Sequence, residues 1–438
     1  MIENLRKGWC PGALAPMLSG DGYIFRLRLT NGILSFERAK KFAELSRRFG
    51  NGAFDLSARA NLQMRGVSAE NIPALQEELS ALGLLDSDAR AEAVRNIVPS
   101  PLAGVDPSAP IDARPLVMAL ESLLTREKAL HDLPPKFGFS IDGGGVLPLV
   151  GLVTDIDFAT VGGGEASRLK VSLGGVDAGS VAPANLVAAA EILARNFLRL
   201  RDEDRRMSML VERIGVAPLL DNSSAVIARS ASDAAIQRPQ AAFGLLCAAR
   251  NDGGASVVYR KILGAQSCWE GKFVGVGLLF GRIEGDALEA LADAAKQCGA
   301  VELRLTPWRA LLAIGLSPEG AKTLAARLEK RNFILDADDP RLAFSACPGA
   351  PACPSALGDV RAAALALAPF WRVDAGRVHV SGCVKGCALH GRALTLVARP
   401  EGFSLVENGL ARDEPIAQGL DLAACQRKLS NISTGARV

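Results

Sequence analysis

Leu56-Ser57-Ala58-Arg59-Ala60-Asn61-Leu62-Gln63-Met64-Arg65-Gly66 decides the fold, because the pattern returns 249 positions later as Leu305-Thr306-Pro307-Trp308-Arg309-Ala310-Leu311-Leu312-Ala313-Ile314-Gly315. The same offset aligns residues 22–82 with 271–331 without a gap. It pairs Gly22 with Gly271, Leu29 with Leu278, Gly32 with Gly281 and Gly50 with Gly299. One unit is present twice. Each copy reads as strand, helix, strand, strand, helix. Residues 23–30 are strand-like, Phe36, Ala39, Phe42, Ala43 and Leu45 fall at helical spacing, and Asn51-Gly52 punctuates. A pseudo-twofold α+β molecule is the expectation.

Between and after the two units lie residues 99–255 and 339–438, with Gly-rich turns and mixed strand and helix patterns. Pro99, Pro101, Pro107, Pro110 and Pro115 mark the first boundary. The expected division is therefore 1–98 for the first half-unit, 99–255 for an α/β domain, 256–338 for the second half-unit and 339–438 for a second α/β domain.

The two copies differ at period two. Arg59, Asn61, Gln63 and Arg65 fall on one strand face, while Ala58, Ala60, Leu62 and Met64 fall on the other. In the second copy the polar positions become Trp308, Ala310, Leu312 and Ile314, so only the first copy is equipped for a ligand. Two arginines bracketing two amides suit carboxylates or oxyanions. A solvated strand face is the plainer alternative. Arg26 and Arg28 alternate in the same way on a neighbouring strand and carry the same two readings.

Four cysteines near the C-terminus have the spacing Cys347-x5-Cys353-x29-Cys383-x3-Cys387. Their flanks, Ser345 to Pro354 and Val380 to Cys387, are loops of small residues with Gly382 and Gly386. Cluster thiolates need backbone N–H donors close to sulfur, and glycine removes the bulk that would block them. Structural zinc pairs usually sit two to four residues apart, so a 4Fe-4S cluster fits this spacing better than zinc does. The other cysteines, Cys10, Cys247, Cys268, Cys298 and Cys425, lack ligand spacing and read as apolar thiols of a reducing compartment.

With 438 residues, 49% hydrophobic and 22% charged, the chain has enough apolar content for several cores. The charged opening lacks the apolar core of a signal peptide, and no apolar run is long enough to span a bilayer, so a cytoplasmic, non-membrane protein is expected. A net charge of +3 gives no footprint for nucleic acid, while arginine exceeds lysine 37 to 13, which favours carboxylate recognition.

The duplicated unit, the Arg59-x3-Gln63 segment and the cysteine quartet together resemble the sirohaem-dependent nitrite and sulfite reductase family. Arg95-Asn96-Ile97-Val98-Pro99-Ser100-Pro101-Leu102-Ala103-Gly104 is similar to that family's R-x5-P-x2-G turn, and Leu133-Pro134-Pro135-Lys136-Phe137 to its L-P-x-K-F. Cys10-Pro11-Gly12, Met17, Gly20-Asp21-Gly22 and Arg26-Leu27-Arg28 look like its oxygen-using branch in aerobic cobalamin biosynthesis. Gly138 stands where sulfite reductases typically have a second lysine, and Lys385 stands where they carry asparagine.

The resemblance implies ferredoxin-like half-units and a pocket that holds a tetrapyrrole substrate in place of sirohaem. It implies a monooxygenase that uses dioxygen to hydroxylate C20 of precorrin-3A with closure of a γ-lactone. The alternative is a sirohaem nitrite or sulfite reductase. On this likeness Arg59, Asn61, Gln63, Arg65 and Arg95, with Arg26 and Arg28, are the expected substrate-binding residues. Lys136 and Lys385 are the expected catalytic cations. Oxygen chemistry implies a mononuclear non-haem iron beside the cluster. His131, His379 and His390 are too separated in sequence to read as a ligand set, with His390 the best single candidate. No G-x-G-x-x-G follows a strand, so electrons are expected from a separate NADH-linked donor.

Overall fold

The computed structural model describes residues 9–149, 151–228, 262–268, 271–331, 333–389 and 391–434. They form four sheets. The first runs in the order Met17–Ser19, Gly22–Leu27, Leu62–Val67, Ala53–Leu56, Arg282–Glu284, and the second in the order Gly264–Cys268, Gly271–Gly277, Ala310–Leu316, Glu302–Leu305, Ile33–Leu34. Each copy therefore lends a short strand to the edge of the other's sheet. The exchange is symmetric in register: Ile283 pairs with Phe54 and Arg282 with Asp55, while Leu34 pairs with Leu303 and Ile33 with Arg304.

The pseudo-twofold extends to backbone detail. Asn31 and Phe280 have φ of 60° and 54°, and Ala60 and Arg309 have φ of 52° and 58°. Such left-handed non-glycine residues are costly and recur only where the surroundings impose them. Here a tight turn does so. Ser57 Oγ accepts from the Asn61 amide at 3.2 Å, and Thr306 Oγ accepts from the Ala310 amide at 3.2 Å, closing the same loop in both copies. The strand expected across residues 58–65 thus begins at Leu62, and Arg59 stands on the turn before it.

Helix Phe36–Phe49 starts at Ser35, whose hydroxyl accepts from the Arg38 amide, and buries Phe36, Ala39, Phe42, Ala43 and Leu45 as their spacing predicts. It packs on its counterpart Gly285–Gln297. One apolar core runs through both copies, from Phe25, Phe42, Phe54 and Met64 to Val274, Leu288, Leu303 and Leu311.

The two remaining sheets share one topology. In the first α/β domain, Ile97–Pro99, Phe139–Asp142 and Ile156–Val161 are parallel neighbours, followed by antiparallel Arg168–Leu173 and Val176–Val181, with Ile227–Ala228 as a sixth, edge strand that the second lacks. In the second, Phe344–Ala346, Val378–Ser381 and Ala393–Arg399 are parallel, followed by antiparallel Gly402–Gly409 and Ala417–Leu420. The duplication covers these domains too, with insertions that hide it from an ungapped alignment.

Candidate active site

The cysteine pairs follow the first and second strands of the last sheet, so the parallel pairing of Phe344–Ala346 with Val378–Ser381 carries both loops to one sheet end. The loops interlock. The Leu357 amide donates to the Gly382 carbonyl at 2.8 Å, and the Gly382 amide points at Cys347 Sγ at 3.3 Å. A Cβ on Gly382 would lie 2.6 Å from that of Ala356 and 3.4 Å from Cys347 Sγ, so this cradle admits only glycine. Burial pushes the Cys387 thiol up, and the charges of Cys383, Cys347 and Cys353 push it further, which places all four sulfurs in one electrostatic neighbourhood. Among the described residues no three His, Cys, Asp or Glu side chains crowd closely enough around a point to hold a single metal ion. Two pairs of thiols brought to one sheet end, with an N–H donor at Cys347, suit the charge spreading that iron–sulfur thiolates need. Lys385 Nζ bonds Ser355 Oγ at 2.9 Å, bracing the second loop against the first.

Both half-units hold these loops. The Ala352 carbonyl, just before Cys353, accepts from Ser19 Oγ at 3.1 Å and from the Gly20 amide at 3.2 Å. On the other side, an Arg309 Nη donates to the Ala388 carbonyl at 3.2 Å, just after Cys387.

The expected substrate residues divide into two groups. Arg59, half-buried, donates an Nη to the Lys136 carbonyl. Burial lowers its pKa most, then the neighbouring Arg206 and Arg26 cations lower it further, against the charges of Cys10 and Asp155. Arg26 faces Gln63 across the strand pair, and its buried Nε has no hydrogen-bond partner. Asn61 is buried, with Nδ2 on the Arg59 carbonyl at 3.1 Å. Lys136 is exposed.

In the second group the guanidiniums are taken up by the protein's own carboxylates. Arg65 is 3% exposed and grips Asp21 at 2.7 and 2.9 Å, with Asp55 at 3.3 Å. Arg95 bridges Asp86 at 3.0 Å and Glu121 at 3.3 Å. Arg28 is the looser case: it is buried with Glu92 at 3.3 Å, yet among the described residues none of its guanidinium nitrogens has a hydrogen-bond partner, and burial, with Arg26 nearby, lowers its pKa to about 10.

Three residues enter that spacing did not reveal. Asp155, whose side chain is 1% exposed, takes the Gly138 amide at 3.0 Å, Arg206 Nε at 2.9 Å and the Met207 amide at 2.8 Å, which sets Arg206 beside Arg59. Cys10 lies within electrostatic reach of Arg59 rather than in a core. His131 Nε2 contacts the Leu124 carbonyl, His379 is buried beneath Gly386, and His390 lies outside the described residues, as does Cys247. No helix of the described residues is long and apolar enough to cross a membrane.

Comparison with known proteins agrees with this architecture. The nitrite/sulfite reductase ferredoxin-like half domain matches residues 15–82 and again 270–331. The nitrite and sulphite reductase 4Fe-4S domain matches residues 90–227. That stretch contains no cysteine, and the quartet belongs to the domain's topological twin at 344–420. Precorrin-3B synthase of Sinorhizobium sp is 32% identical over 95% of this chain and 86% of its own length. Ferredoxin–nitrite reductase of Synechococcus elongatus is 26% identical over 83% of this chain and 74% of its own. The NirA protein of Mycobacterium tuberculosis superposes with a TM-score of 0.68 at 21% identity, covering 90% of this chain and 77% of that one, a likeness of fold.

Proposed function

This chain belongs to the nitrite/sulfite reductase-like superfamily as an iron–sulfur enzyme of the precorrin-3B synthase family, and from that we propose that it converts precorrin-3A to precorrin-3B in aerobic cobalamin biosynthesis. One atom of dioxygen enters the macrocycle as the C20 hydroxyl and the other leaves as water, with two electrons and two protons consumed, while a ring-A acetate closes the γ-lactone.

The observation that carries this reading is the group of cations Arg26 and Arg206 around a desolvated Arg59, answered by Cys10 and Asp155 among the charges that most affect Arg59. A polycarboxylate tetrapyrrole supplies the missing anions, and charge-assisted bidentate contacts from arginine are the strong ones. Gln63, across from Arg26, adds an amide, and Asn61 fixes the turn that presents Arg59. Lys136, exposed on the segment that Asp155 and Arg59 hold, is a further cation for the same substrate. Arg65 and Arg95 act as supports. From Arg59 to Arg65 the chain spans at most about 20 Å, the scale of a tetrapyrrole with its side chains, with the cysteine loop tethered at the far end.

Cys347, Cys353, Cys383 and Cys387 would hold the 4Fe-4S cluster, which would supply single electrons when bound, and Lys385 would offset its charge. Among the described residues no ligand set for a mononuclear iron is assembled. Electrons come from a separate NADH-linked donor.

Anaerobically purified protein is tested with precorrin-3A, labelled dioxygen and a reducing system. The expected result is one labelled oxygen in the product and a cluster-only optical spectrum before substrate is added. Strong haem-like bands with nitrite or sulfite reduction would replace this reading with the reductase one.

A further inference from the structure

On the strand Ala53–Leu56, the carboxylate of Asp55 meets three guanidiniums: Arg282 at 2.9 Å, Arg65 at 3.3 Å and Arg361 at 3.4 Å. They come from three parts of the chain, namely the strand lent by the second copy, the adjacent strand of the same sheet, and the helix Val360–Leu367 of the cysteine-bearing domain. Burial pushes the Asp55 carboxyl up, yet the three cations, led by Arg361, hold it below its ordinary value, so the group is ionised where the enzyme works.

Two of these arginines lead directly to the cysteine loop. Arg361 is the second residue of a helix capped by Asp359, and the Ala350 amide donates to the Gly358 carbonyl at 3.0 Å, joining loop to helix start. Arg65 Nη2 lies 3.5 Å from the Ala352 carbonyl, the acceptor that Ser19 and Gly20 also use. Gly20 itself has no room for a side chain, since a Cβ there would meet the Pro351 carbonyl and Pro354 Cδ at 2.9 Å.

The twofold-related position, 249 residues on, is Arg304. It is fully buried, pairs with Glu302 at 2.6 Å and donates to the Pro101 and Ala103 carbonyls at 3.3 Å. Those carbonyls belong to the loop after Ile97–Pro99, which is the counterpart of the cysteine loop after Phe344–Ala346. The two copies thus present opposite charge, at the same place, to the two α/β domains.

We propose that Asp55 is a positioning residue for the cluster: through Arg361 and Arg65 it seats the loop of Cys347 and Cys353 against the strand that carries the substrate-facing donors. The proposal depends on the cluster and not on the identity of the substrate.

The test is Asp55→Asn in the full chain, reconstituted anaerobically. The variant should bind iron, yet an iron chelator should extract it at least about tenfold faster, as expected when one partner of a buried ion pair is removed. The EPR signal of the reduced cluster should shift or broaden, and Asp55→Glu should recover most of the wild-type behaviour. Because chelation and EPR read the cluster without substrate, failure here is distinct from failure of the assigned reaction. If Asp55→Asn does not fold, Arg361→Gln carries the same expectations. Wild-type chelation rate and EPR signal in a variant that merely melts lower would overturn the proposal and leave Asp55 as a general stabiliser.

Discussion

Arg65 and Ile314 occupy the same position in the two copies of the half-unit, one a buried cation and the other apolar. Arg65 reaches Asp21 and the cysteine loop. Ile314 instead packs with Leu312, Ala310 and Phe273 against Leu102 and Leu147, which stand on the loops that are counterparts of the two cysteine loops. In the second copy that strand face is therefore covered by the first α/β domain.

That cover should be stabilising without being part of the redox chemistry. Leu147 and Leu312 are 3% and 0% exposed. Leu147→Ala or Leu312→Ala should cost about 2–4 kcal/mol in denaturant unfolding, from lost burial plus a residual cavity. The cluster spectrum should not change. A loss of iron in either variant would show that the covered side supports the cluster directly.

Cys383→Ser should abolish the cluster, read as loss of the visible absorption and of iron and sulfide. Cys425→Ala is the control, because Cys425 is fully buried in the core of the same domain with a thiol pushed up by burial to about 11. It should retain iron in full and lose only packing energy, about 1 kcal/mol. A cluster that survives Cys383→Ser contradicts the ligand assignment.

The duplication and the quartet were legible in the chain because glycines and cysteines at fixed offsets carry information without any structure. The exchanged strands Ile33–Leu34 and Arg282–Glu284 were not, since two or three residues have no measurable period and their pairing is set by the twofold. Alternation told which side Arg65 faces but not that Asp21 and Asp55 wait there. Arg206 escaped for a related reason: its place beside Arg59 is created by Asp155, 51 residues earlier, and no local pattern links the two. The twin α/β domains were hidden by unequal loops, although their strand orders agree.

Arg59→Ala and Arg206→Ala should each weaken binding of a polycarboxylate tetrapyrrole about 10–100-fold, the range of one charge-assisted contact. Fluorescence titration would measure this, with the cluster spectrum as the check on integrity. Arg95→Ala should behave differently. It leaves Asp86 and Glu121 without their cation, so it should lower the melting temperature more than it lowers affinity. Equal affinity loss in all three would mean that Arg95 also meets the substrate.

The last prediction concerns Asp157, on the strand Ile156–Val161 of the first α/β domain. Burial pushes its carboxyl above the ordinary range, and the charge of Asp155 adds to this, while bonds from Ser140 and Thr154 oppose it. A raised folded pKa means that the unfolded chain loses its proton first as pH rises, so stability falls from the unfolded carboxyl value upward and stays lower once the folded group ionises. The contacts from Ser140 Oγ at 2.6 Å, Thr154 Oγ1 at 2.7 Å and the Thr154 amide at 3.0 Å all end on Oδ1, an atom that asparagine keeps as an acceptor. Asp157→Asn should therefore preserve the bonds and remove the buried charge. At pH 7.5 it should melt about 2–4 °C higher, and below about pH 4 the two proteins should converge. A lower melting point at pH 7.5 would mean that the ionised carboxylate, not its geometry, is what the domain requires.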